Sequence, residues 1–532
     1  MNKRIVILFC IITFSLSSMV LRFAFINIKG NKQSATYGNT RSITIDKSRG
    51  TIYDCNLKPI TNATPKYFLA VKPTPIALSQ LKGNLHDEEF DKLAKKLSDG
   101  NPTVIALEKD MKPVKDTRVI KTMERYSKNQ LATHIVGHLD SEGNGAIGLE
   151  KGYNEYLSKD SGGLAVAFSV DALGRPLIGA DIEVRDANYN VGQGIVLTID
   201  KNVQEVAEKA LDNNGIDSGC AVVVEVGTGE IKAMASRPTF DPNNLASSLS
   251  DARSPFINRC ITQYTVGSSF KVLVSACAIE SKVATPNTMY NCTGNTQRSG
   301  VNFSCYNKNE HGNINMAQAL SVSCNTYFIE LANKMDMNLL LEMSKNMGLS
   351  QSTKLAQGMV TDKGNLPELY NLNSQASIAN FAFGQGELLA TPLQMACVFA
   401  TIASDGYYTQ PFLIKGMIDK DGEMSQEYKA KPNKKVMSQT TAKQVKQMLK
   451  TVVEENENAL PNNTTGCGKT ATAQSGWLSN GAEIYHSWFV GFFPAEKPKY
   501  AVAVMKENGV SGSADCAPVF REIAQNVTSL NS

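Results

Sequence analysis

Apolar and polar positions divide the chain into three regions of different character. Residues 5–21 are mostly apolar and include no charged residue, with basic residues on either side. Residues 45–200 mix short strand-like stretches with helical ones, whereas from residue 219 onward apolar strands enclose a series of helical patterns. Strands at both ends of a region, with helices between them, predict an α+β domain built on an antiparallel sheet.

Two hairpins define the predicted sheet. The apolar stretches Cys220–Val226 and Glu230–Ala235 are joined by a Gly-Thr-Gly turn, which is typical of a β-hairpin. Trp488–Phe493 and Tyr500–Met505 form a second pair of strands near the C-terminal end. Helices are predicted at Asp87–Ser98, Lys201–Leu211, Met316–Asn333 and Leu393–Ser404.

The apolar segment near the N-terminus predicts a membrane anchor. Ile5–Leu21 has 17 residues, the short end of what can span a bilayer, and no small-residue cleavage site follows it. Lys3 and Arg4 precede the segment and hold the N-terminus in the cytoplasm, so the chain after Arg22 lies outside. We expect an uncleaved, single-pass signal anchor in the cell membrane. A cleaved signal peptide is the alternative, and it also gives an extracytoplasmic protein.

Composition excludes several classes of function. A chain of 532 residues predicts two or three domains, and 42% apolar with 20% charged residues is typical of a folded protein. A net charge of +4 argues against a nucleic-acid partner. The 11 cysteines include no CxxC pair, and the chain has no HExxH motif, no Walker A loop and no complete GxGxxG motif, so neither a metal site nor a cofactor is predicted. Cys292 and Cys305 flank a polar loop, where a disulfide and two buried thiols remain alternatives.

The strongest candidate for chemistry is a serine–lysine pair. Ser268 and Lys271 stand at the start of an almost wholly apolar stretch that predicts a buried helix. On a helix they share one face, with Ser268 at the N-terminus, where backbone N–H groups favour developing negative charge. A buried lysine becomes neutral near physiological pH and can act as a base. The pair therefore predicts an acyl-transfer site.

This S-x-x-K motif does not decide the function alone. An N-cap role is the plain alternative for Ser268, and Ser79 with Lys82 has the same spacing without any assigned chemistry. An ordered set of S-x-x-K, S-D-N and K-T-G is the signature of penicillin-binding proteins and class A β-lactamases. The chain continues the set with Ser323-Cys324-Asn325 and then, reading K-T-A, with Lys469-Thr470-Ala471.

With these motifs in order, the chain resembles a class B penicillin-binding protein. The resemblance extends over roughly residues 45–525. Further motifs that carry it are Arg49-Gly50-Thr51-Ile52-Tyr53-Asp54, Gly148-Leu149-Glu150, Leu197-Thr198-Ile199-Asp200, Gly384-Gln385-Gly386 and Trp488-Phe489-Val490-Gly491.

The resemblance implies an architecture. Residues 1–26 form the cytoplasmic tip and the transmembrane anchor, and residues 27–200 form a linker (27–44) with an elongated, mixed α/β pedestal. Residues 201–532 form an α+β transpeptidase domain with a serine-β-lactamase-like antiparallel sheet and helices. No glycosyltransferase domain precedes these regions, which separates the chain from the bifunctional class A proteins. The catalytic domain is expected outside the membrane.

The resemblance also implies catalytic roles. Ser268 attacks the carbonyl of the penultimate D-Ala of a stem peptide and expels the terminal D-Ala, with Lys271 as the base. Ser323 and Lys469 relay the proton to the leaving amine. Asn325 hydrogen-bonds the substrate amide and helps to hold Lys271.

Substrate binding is assigned to the third motif. Thr470, Ala471 and Thr472 line the substrate, and the backbone N–H groups of Ser268 and Thr472 form the oxyanion hole. Glycine is usual at position 471, because it lets substrate lie close to an edge strand. The Ala471 methyl either faces the interior or narrows the cleft. We expect an active enzyme with an altered substrate or β-lactam preference.

The implied partners are peptidoglycan stem peptides, as D-Ala-D-Ala donor and amine acceptor, together with β-lactam antibiotics. Membrane lipid around the anchor and a lipid-II polymerase partner are implied as well, with no cofactor and no nucleic acid. Two alternatives remain. A catalytically impaired scaffold in a cell-wall assembly is suggested by the K-T-A motif, and a β-lactam-hydrolysing or β-lactam-sensing protein shares the serine–lysine site. The long pedestal and the single anchor disfavour the second alternative.

Overall fold

The computed structural model describes residues 3–33, 39–159, 162–177, 179–187, 189, 193–479 and 481–530. The chain forms two compact units. The first contains residues 1–49, 64–124 and 160–191, and the second contains residues 50–63, 125–159 and 192–532. The boundaries of the functional domains at residues 26 and 200 stay predictions.

The first unit contains two three-stranded sheets. Thr64–Val71 is the middle strand of one sheet and Gly163–Ser169 is the middle strand of the other. The outer strands are Thr103–Leu107 and Thr117–Glu124 in the first sheet, and Thr40–Lys47 and Ile182–Ala187 in the second. Pro75–Leu81 and Asp87–Leu97 are helices. The second confirms the helix predicted over Asp87–Ser98.

The N-terminal segment is a helix over Lys3–Gln33. Among the residues that the structure describes, none of the helices meets the length and apolarity that a bilayer crossing requires. The anchor at Ile5–Leu21 stays a prediction. The linker over residues 27–44 stays a prediction; within this range the helix continues to Gln33 and a strand begins at Thr40. Residues 34–38 lie outside the described residues.

A five-stranded antiparallel sheet is the centre of the second unit. Its strands are β1 (Gly219–Glu225), β2 (Ile231–Arg237), β3 (Cys467–Ser479), β4 (Ala482–Phe493) and β5 (Tyr500–Lys506). Their order across the sheet is β2-β1-β5-β4-β3, so β3 is an edge strand. Both predicted hairpins are confirmed.

Helices cover both faces of this sheet because its strands are apolar on both faces. Along β4, Phe489 and Phe493 join one hydrophobic cluster, whereas Trp488 and Val490 join the other. Helices Lys201–Asn213 and Ala517–Leu530 pack on the first face. The second face packs on helices Lys271–Glu280 and Pro392–Ala403.

The remaining elements of the second unit surround this sheet. A four-stranded sheet contains Thr51–Tyr53, Gly194–Leu197, Ile414–Ile418 and Met424–Glu427. The short strands are Tyr264–Thr265, Tyr290–Cys292, Asn295–Arg298, Val301–Ser304, Gly312–Ile314, Lys354–Ala356, Met359–Val360, Leu389–Ala390, Tyr407–Tyr408 and Lys434–Lys435. The other helices and helical turns are Thr133–Val136, Gly148–Gly152, Asn154–Ser158, Ala246–Leu249, Gly267–Phe270, Tyr306–Lys308, Met316–Ser321, Asn325–Asn333, Met337–Asn346, Leu369–Asn371, Gln375–Ala382, Gln439–Glu454 and Gly512–Cys516.

The continuous helix predicted over Met316–Asn333 is wrong. Two helices, Met316–Ser321 and Asn325–Asn333, replace it. The break lies at Ser323, whose φ of 54° is left-handed and cannot belong to an α-helix. The Cys324 side chain then accepts a hydrogen bond from the backbone N–H of Tyr327 and caps the second helix. The break therefore presents the S-x-N motif in a loop.

Candidate active site

Ser268 lies in a short 3₁₀ turn that leads into a buried helix. The turn spans Gly267–Phe270, and the helix Lys271–Glu280 follows directly. Neither N-terminus is closed by a side-chain hydrogen bond, so Ser268 is not an N-cap. The neighbouring Ser269 is fully buried and donates its hydroxyl to the carbonyl of Val266, 2.7 Å away. Of the two serines, Ser268 is the more accessible one.

Hydrogen bonds and close packing hold this turn in place beside the edge strand β3. The N–H of Gly267 donates to the carbonyl of Gly384 at 3.0 Å, and Trp488 Nε1 donates to the carbonyl of Thr265 at 3.0 Å. A Cβ on Gly384 would lie 1.9 Å from the Gly267 oxygen, which explains a glycine there. A Cβ on Gly267 would lie 3.0 Å from the Ala473 methyl of β3. The turn is therefore fixed beside the strand that carries the third motif.

Lys271 is fully buried, and its amine points to the second motif. Its Nζ donates to the Ser323 carbonyl at 2.8 Å, to Ser323 Oγ at 3.2 Å and to Asn325 Oδ1 at 2.6 Å. The Phe328 ring lies 5.7 Å from the same nitrogen. Burial, reinforced by the neighbouring Lys469, lowers the pKa of Lys271 to about 7. A neutral amine is thus accessible near neutral pH.

Asn325 of the second motif is held by hydrogen bonds from both ends of its side-chain amide. Asn325 uses its Oδ1 for Lys271 and donates from its Nδ2 to the carbonyl of Ser304 at 2.8 Å. Ser323 offers both its hydroxyl and its carbonyl oxygen to Lys271, which the left-handed backbone at this residue permits. The first two motifs therefore form one hydrogen-bonded group.

The third motif lies on the edge strand β3. Lys469 is fully buried, and its Nζ donates to the Thr470 carbonyl at 3.0 Å. Burial lowers the pKa of Lys469 to about 7. Thr470 and Thr472 are half-buried, and Thr472 Oγ1 accepts a hydrogen bond from the N–H of Gly512 at 3.3 Å. An extended peptide can add to such an edge through its main chain.

The Ala471 methyl lies in the protein interior. Ala471 is 3% exposed and belongs to the hydrophobic cluster that also contains Ala473 and Trp488. Of the two alternatives for this residue, the structure favours the methyl that faces the interior. A narrowed cleft, and with it an altered β-lactam preference, is no longer expected from this substitution.

Ala471→Gly is expected to leave acylation by several β-lactams within about twofold of the original rate, because the methyl does not face substrate. It is expected to lower the free energy of unfolding by about 1–2 kcal/mol, since it removes a buried methyl and adds backbone entropy. Acylation kinetics and denaturant unfolding measure the two effects. Ala503→Gly, at a buried alanine of β5, is the matched control for stability. A tenfold change for one β-lactam class would contradict the expectation.

One group of residues near the second motif was missed by the sequence. Cys292, Cys305 and His311 meet Cys324, with all four donor atoms within 4.8 Å of one another. All eleven cysteines are free thiols, so Cys292 and Cys305 are not joined by a disulfide. No short Cys or His spacing marks this group along the chain, which is why the sequence predicted no metal site.

A family model described as the penicillin-binding protein transpeptidase domain matches residues 219–525, more than half of the chain. The matched range contains all three motifs. It also contains the five-stranded sheet and the helix Lys271–Glu280 that follows the serine turn.

Curated relatives agree with this match. Penicillin-binding protein PbpB of Mycolicibacterium smegmatis is 29% identical over 429 residues, which are 76% of this chain and 64% of that protein. The chain thus spans less than two thirds of the length of that relative. Peptidoglycan D,D-transpeptidase FtsI of Buchnera aphidicola is 27% identical over 565 residues, which cover 99% of this chain and 94% of that protein.

Among solved structures, penicillin-binding protein 3 from Mycobacterium tuberculosis, complexed with aztreonam, matches with a TM-score of 0.66. The match has 23% sequence identity and covers 92% of this chain and 97% of that one. Similarity at this identity concerns the fold alone.

Proposed function

Because the chain belongs to the penicillin-binding protein transpeptidase family, we propose that it is a serine D,D-transpeptidase that cross-links peptidoglycan stem peptides. The observation that carries the proposal is the buried amine of Lys271, one turn after Ser268 and hydrogen-bonded to Ser323 and Asn325. Burial of a lysine is costly, because its charge loses hydration. A catalytic task explains why this cost is tolerated here.

In the proposed first step, Ser268 Oγ attacks the carbonyl carbon of the penultimate D-Ala and passes its proton to the neutral amine of Lys271. The C–N bond to the terminal D-Ala then breaks, and the leaving amine takes a proton from Ser323 Oγ. The chain of hydrogen bonds between Lys271 and Ser323 supports this route, and the nearby Lys469 replaces the Ser323 proton. The product is an ester between Ser268 and the donor stem.

In the second step, an amine of a neighbouring stem attacks the ester carbonyl. The amine proton leaves through Ser323 to Lys469, which is neutral after the first step. The ester C–O bond breaks, and Lys271 returns its proton to Ser268 Oγ. The backbone N–H groups of Ser268 and Thr472 stabilise the oxyanion in both steps, a contribution of about 3 kcal/mol per donor. The position of the serine turn beside β3, so close that a Cβ on Gly267 would lie 3.0 Å from the Ala473 methyl, supports this pair of donors.

The proposal is tested with the full-length chain in detergent and a donor peptide that ends in D-Ala-D-Ala. Mass spectrometry follows the release of D-Ala and the formation of a cross-linked product with an added amine acceptor. We expect both products in equal amounts, and neither with Ser268→Ala. Folded protein that releases no D-Ala from any donor, with or without acceptor, would support the scaffold alternative instead.

The rate of β-lactam acylation is expected to depend on pH with an acidic limb near pH 7. Lys271 and Lys469 lie close together with pKa values of about 7, so the pair loses its first proton there. Below this pH both amines are protonated, Lys271 cannot accept the serine proton, and the rate falls about tenfold per pH unit. An ordinary lysine would place the limb about three units higher.

Rapid-mixing acylation kinetics between pH 5 and 9 test this expectation, with thermal unfolding at each pH as a control for folding. A rate that still rises about tenfold per pH unit up to pH 9, or a flat profile across the range, would contradict a role for a depressed lysine pKa.

We also infer that residues 5–21 anchor the chain in the cell membrane, with the catalytic domain outside and a lipid-II polymerase as partner. The mostly apolar run without any charged residue, and the basic residues that precede it, support this topology. Family membership supports a partner that supplies polymerised glycan. Protease added to spheroplasts should digest the catalytic domain without lysis, and full protection until lysis would refute the topology.

A further inference from the structure

Three cysteines and one histidine converge beside the S-x-N motif. Cys292 Sγ and Cys305 Sγ are 3.7 Å apart, and Cys305 Sγ and Cys324 Sγ are also 3.7 Å apart. His311 Nδ1 lies 3.3 Å from Cys292 Sγ. The three thiols are buried, and His311 is half-buried. The residues come from separate segments of the chain, which only the fold brings together.

The distances match those between the ligands of one tetrahedral metal ion. With Zn–S bonds of about 2.3 Å, the sulfur–sulfur edge of a tetrahedron is about 3.8 Å, and a sulfur–nitrogen edge is about 3.5 Å. The observed edges of 3.7, 3.7 and 3.3 Å agree with these values. All four donor atoms lie within 4.8 Å of one another, so they form one compact group around a common centre.

The surroundings favour thiolates. The backbone N–H of Gly294 points to Cys292 Sγ at 3.4 Å, and that of Tyr327 points to Cys324 Sγ at 3.4 Å. Thr326 Oγ1 lies 3.1 Å from Cys292 Sγ and donates to it. Hydrogen-bond donors directed at ligand atoms are the usual outer shell of a metal site.

We propose that Cys292, Cys305, His311 and Cys324 bind Zn²⁺ in a closed, structural site. Three thiolates and one imidazole are a donor set that zinc prefers, and four protein ligands leave no open position for a substrate. The ion joins the strand end at Cys292, the loop at Cys305 and the start of helix Asn325–Asn333 at Cys324.

The site positions the second catalytic motif, an inference that rests on the proposed function. Cys324 stands between Ser323 and Asn325, and both of these residues accept hydrogen bonds from Lys271. Cys305 follows Ser304, whose carbonyl accepts the Asn325 amide. Zinc bound to both cysteines therefore fixes the loop on both sides of Asn325. Its ligands act as positioning residues, not catalytic ones.

The test measures metal in the full-length chain, purified in detergent without chelators from zinc-supplemented cells. Elemental mass spectrometry is expected to find about one zinc ion per chain. Cys305→Ser and His311→Ala are expected to retain less than about a fifth of it. Cys397→Ala, at a buried cysteine outside the cluster, is the matched control and keeps its zinc. His311→Cys supplies a fourth thiolate and is expected to restore binding, which a packing role of the imidazole would not explain.

Two results would overturn the zinc site. One is folded protein with less than about a tenth of an ion per chain, both as purified and after anaerobic incubation with Zn²⁺. The other is a disulfide between Cys292 and Cys305 in non-reducing peptide maps of the freshly purified chain, because that bond removes two ligands.

Acylation separates this proposal from the proposed function. Ser268→Ala is expected to lose acylation and to keep its zinc, whereas His311→Ala is expected to lose zinc and to acylate about ten- to a hundredfold more slowly, with the original rate restored in His311→Cys. Zinc binding without any effect of His311→Ala on acylation would overturn the positioning role.

Discussion

Ser268→Ala is expected to abolish covalent labelling of the full-length chain by a fluorescent penicillin. The hydroxyl of Ser268 is the proposed nucleophile, and alanine at this position leaves no atom to form the ester. Intact-mass spectrometry of the original chain should show one added penicillin, whereas the variant should show none. Because Ser268 makes no capping hydrogen bond, the fold should be unaffected, which a thermal unfolding curve can check.

The chain offers a matched control one residue away. Ser269→Ala removes a buried hydroxyl that donates to the Val266 carbonyl, so it costs about 1 kcal/mol of stability while the adduct remains. Persistence of the adduct for hours would distinguish a transpeptidase from a β-lactam-hydrolysing enzyme. An adduct that survives in Ser268→Ala, or maps to another residue, would disprove the assigned nucleophile.

Lys271→Arg is expected to slow acylation by a factor of about 10² to 10⁴, the usual contribution of a general base. Arginine keeps a cation and hydrogen-bond donors near Ser323 and Asn325, but its guanidinium does not lose a proton near pH 7. The second-order rate constant for acylation measures the effect. The acidic limb near pH 7 should disappear as well, since the group that produces it is gone.

A second variant guards against misfolding, because arginine is larger than the buried lysine. Lys271→Met keeps the volume and removes the amine, and it should show the same loss of acylation with an unfolding midpoint near the original. Lys271→Met also loses the hydrogen bonds to Ser323 and Asn325, which is a structural effect. The pH profile of the residual acylation therefore decides whether Lys271 acts as the base or only holds these two residues. Acylation at the original rate in either variant would exclude Lys271 as the base.

Much of the fold follows from local patterns. The hairpin strands β1 and β2 carry continuous apolar residues and a glycine-rich turn, and helix Asp87–Leu97 carries acidic residues at its start and basic ones at its end. The strand Thr40–Lys47 was not predicted, because its sequence is polar and its partner strand Gly163–Ser169 is far along the chain. The break at Ser323 was missed because the apolar residues on both sides of it have helical spacing.

The two S-x-x-K motifs illustrate the limit of local spacing. Ser79 and Lys82 lie at the C-terminal end of the helix Pro75–Leu81, and both are exposed to solvent. The Ser79 hydroxyl donates to the Ile76 carbonyl. Lys271 has the same separation from its serine and is fully buried. Only the residues packed around Lys271, which come from distant segments, lower its pKa.

The sequence by itself determined which residues can react: the serine, the two lysines and the S-x-N motif, because chemistry resides in side-chain type and motif order. The tertiary structure decided their state. It buries Lys271 and Lys469 together, turns the Ala471 methyl inward and gathers Cys292, Cys305, His311 and Cys324 around one point. Protonation and metal binding depend on neighbours within a few ångströms, and those neighbours are set by packing between segments that are far apart in sequence.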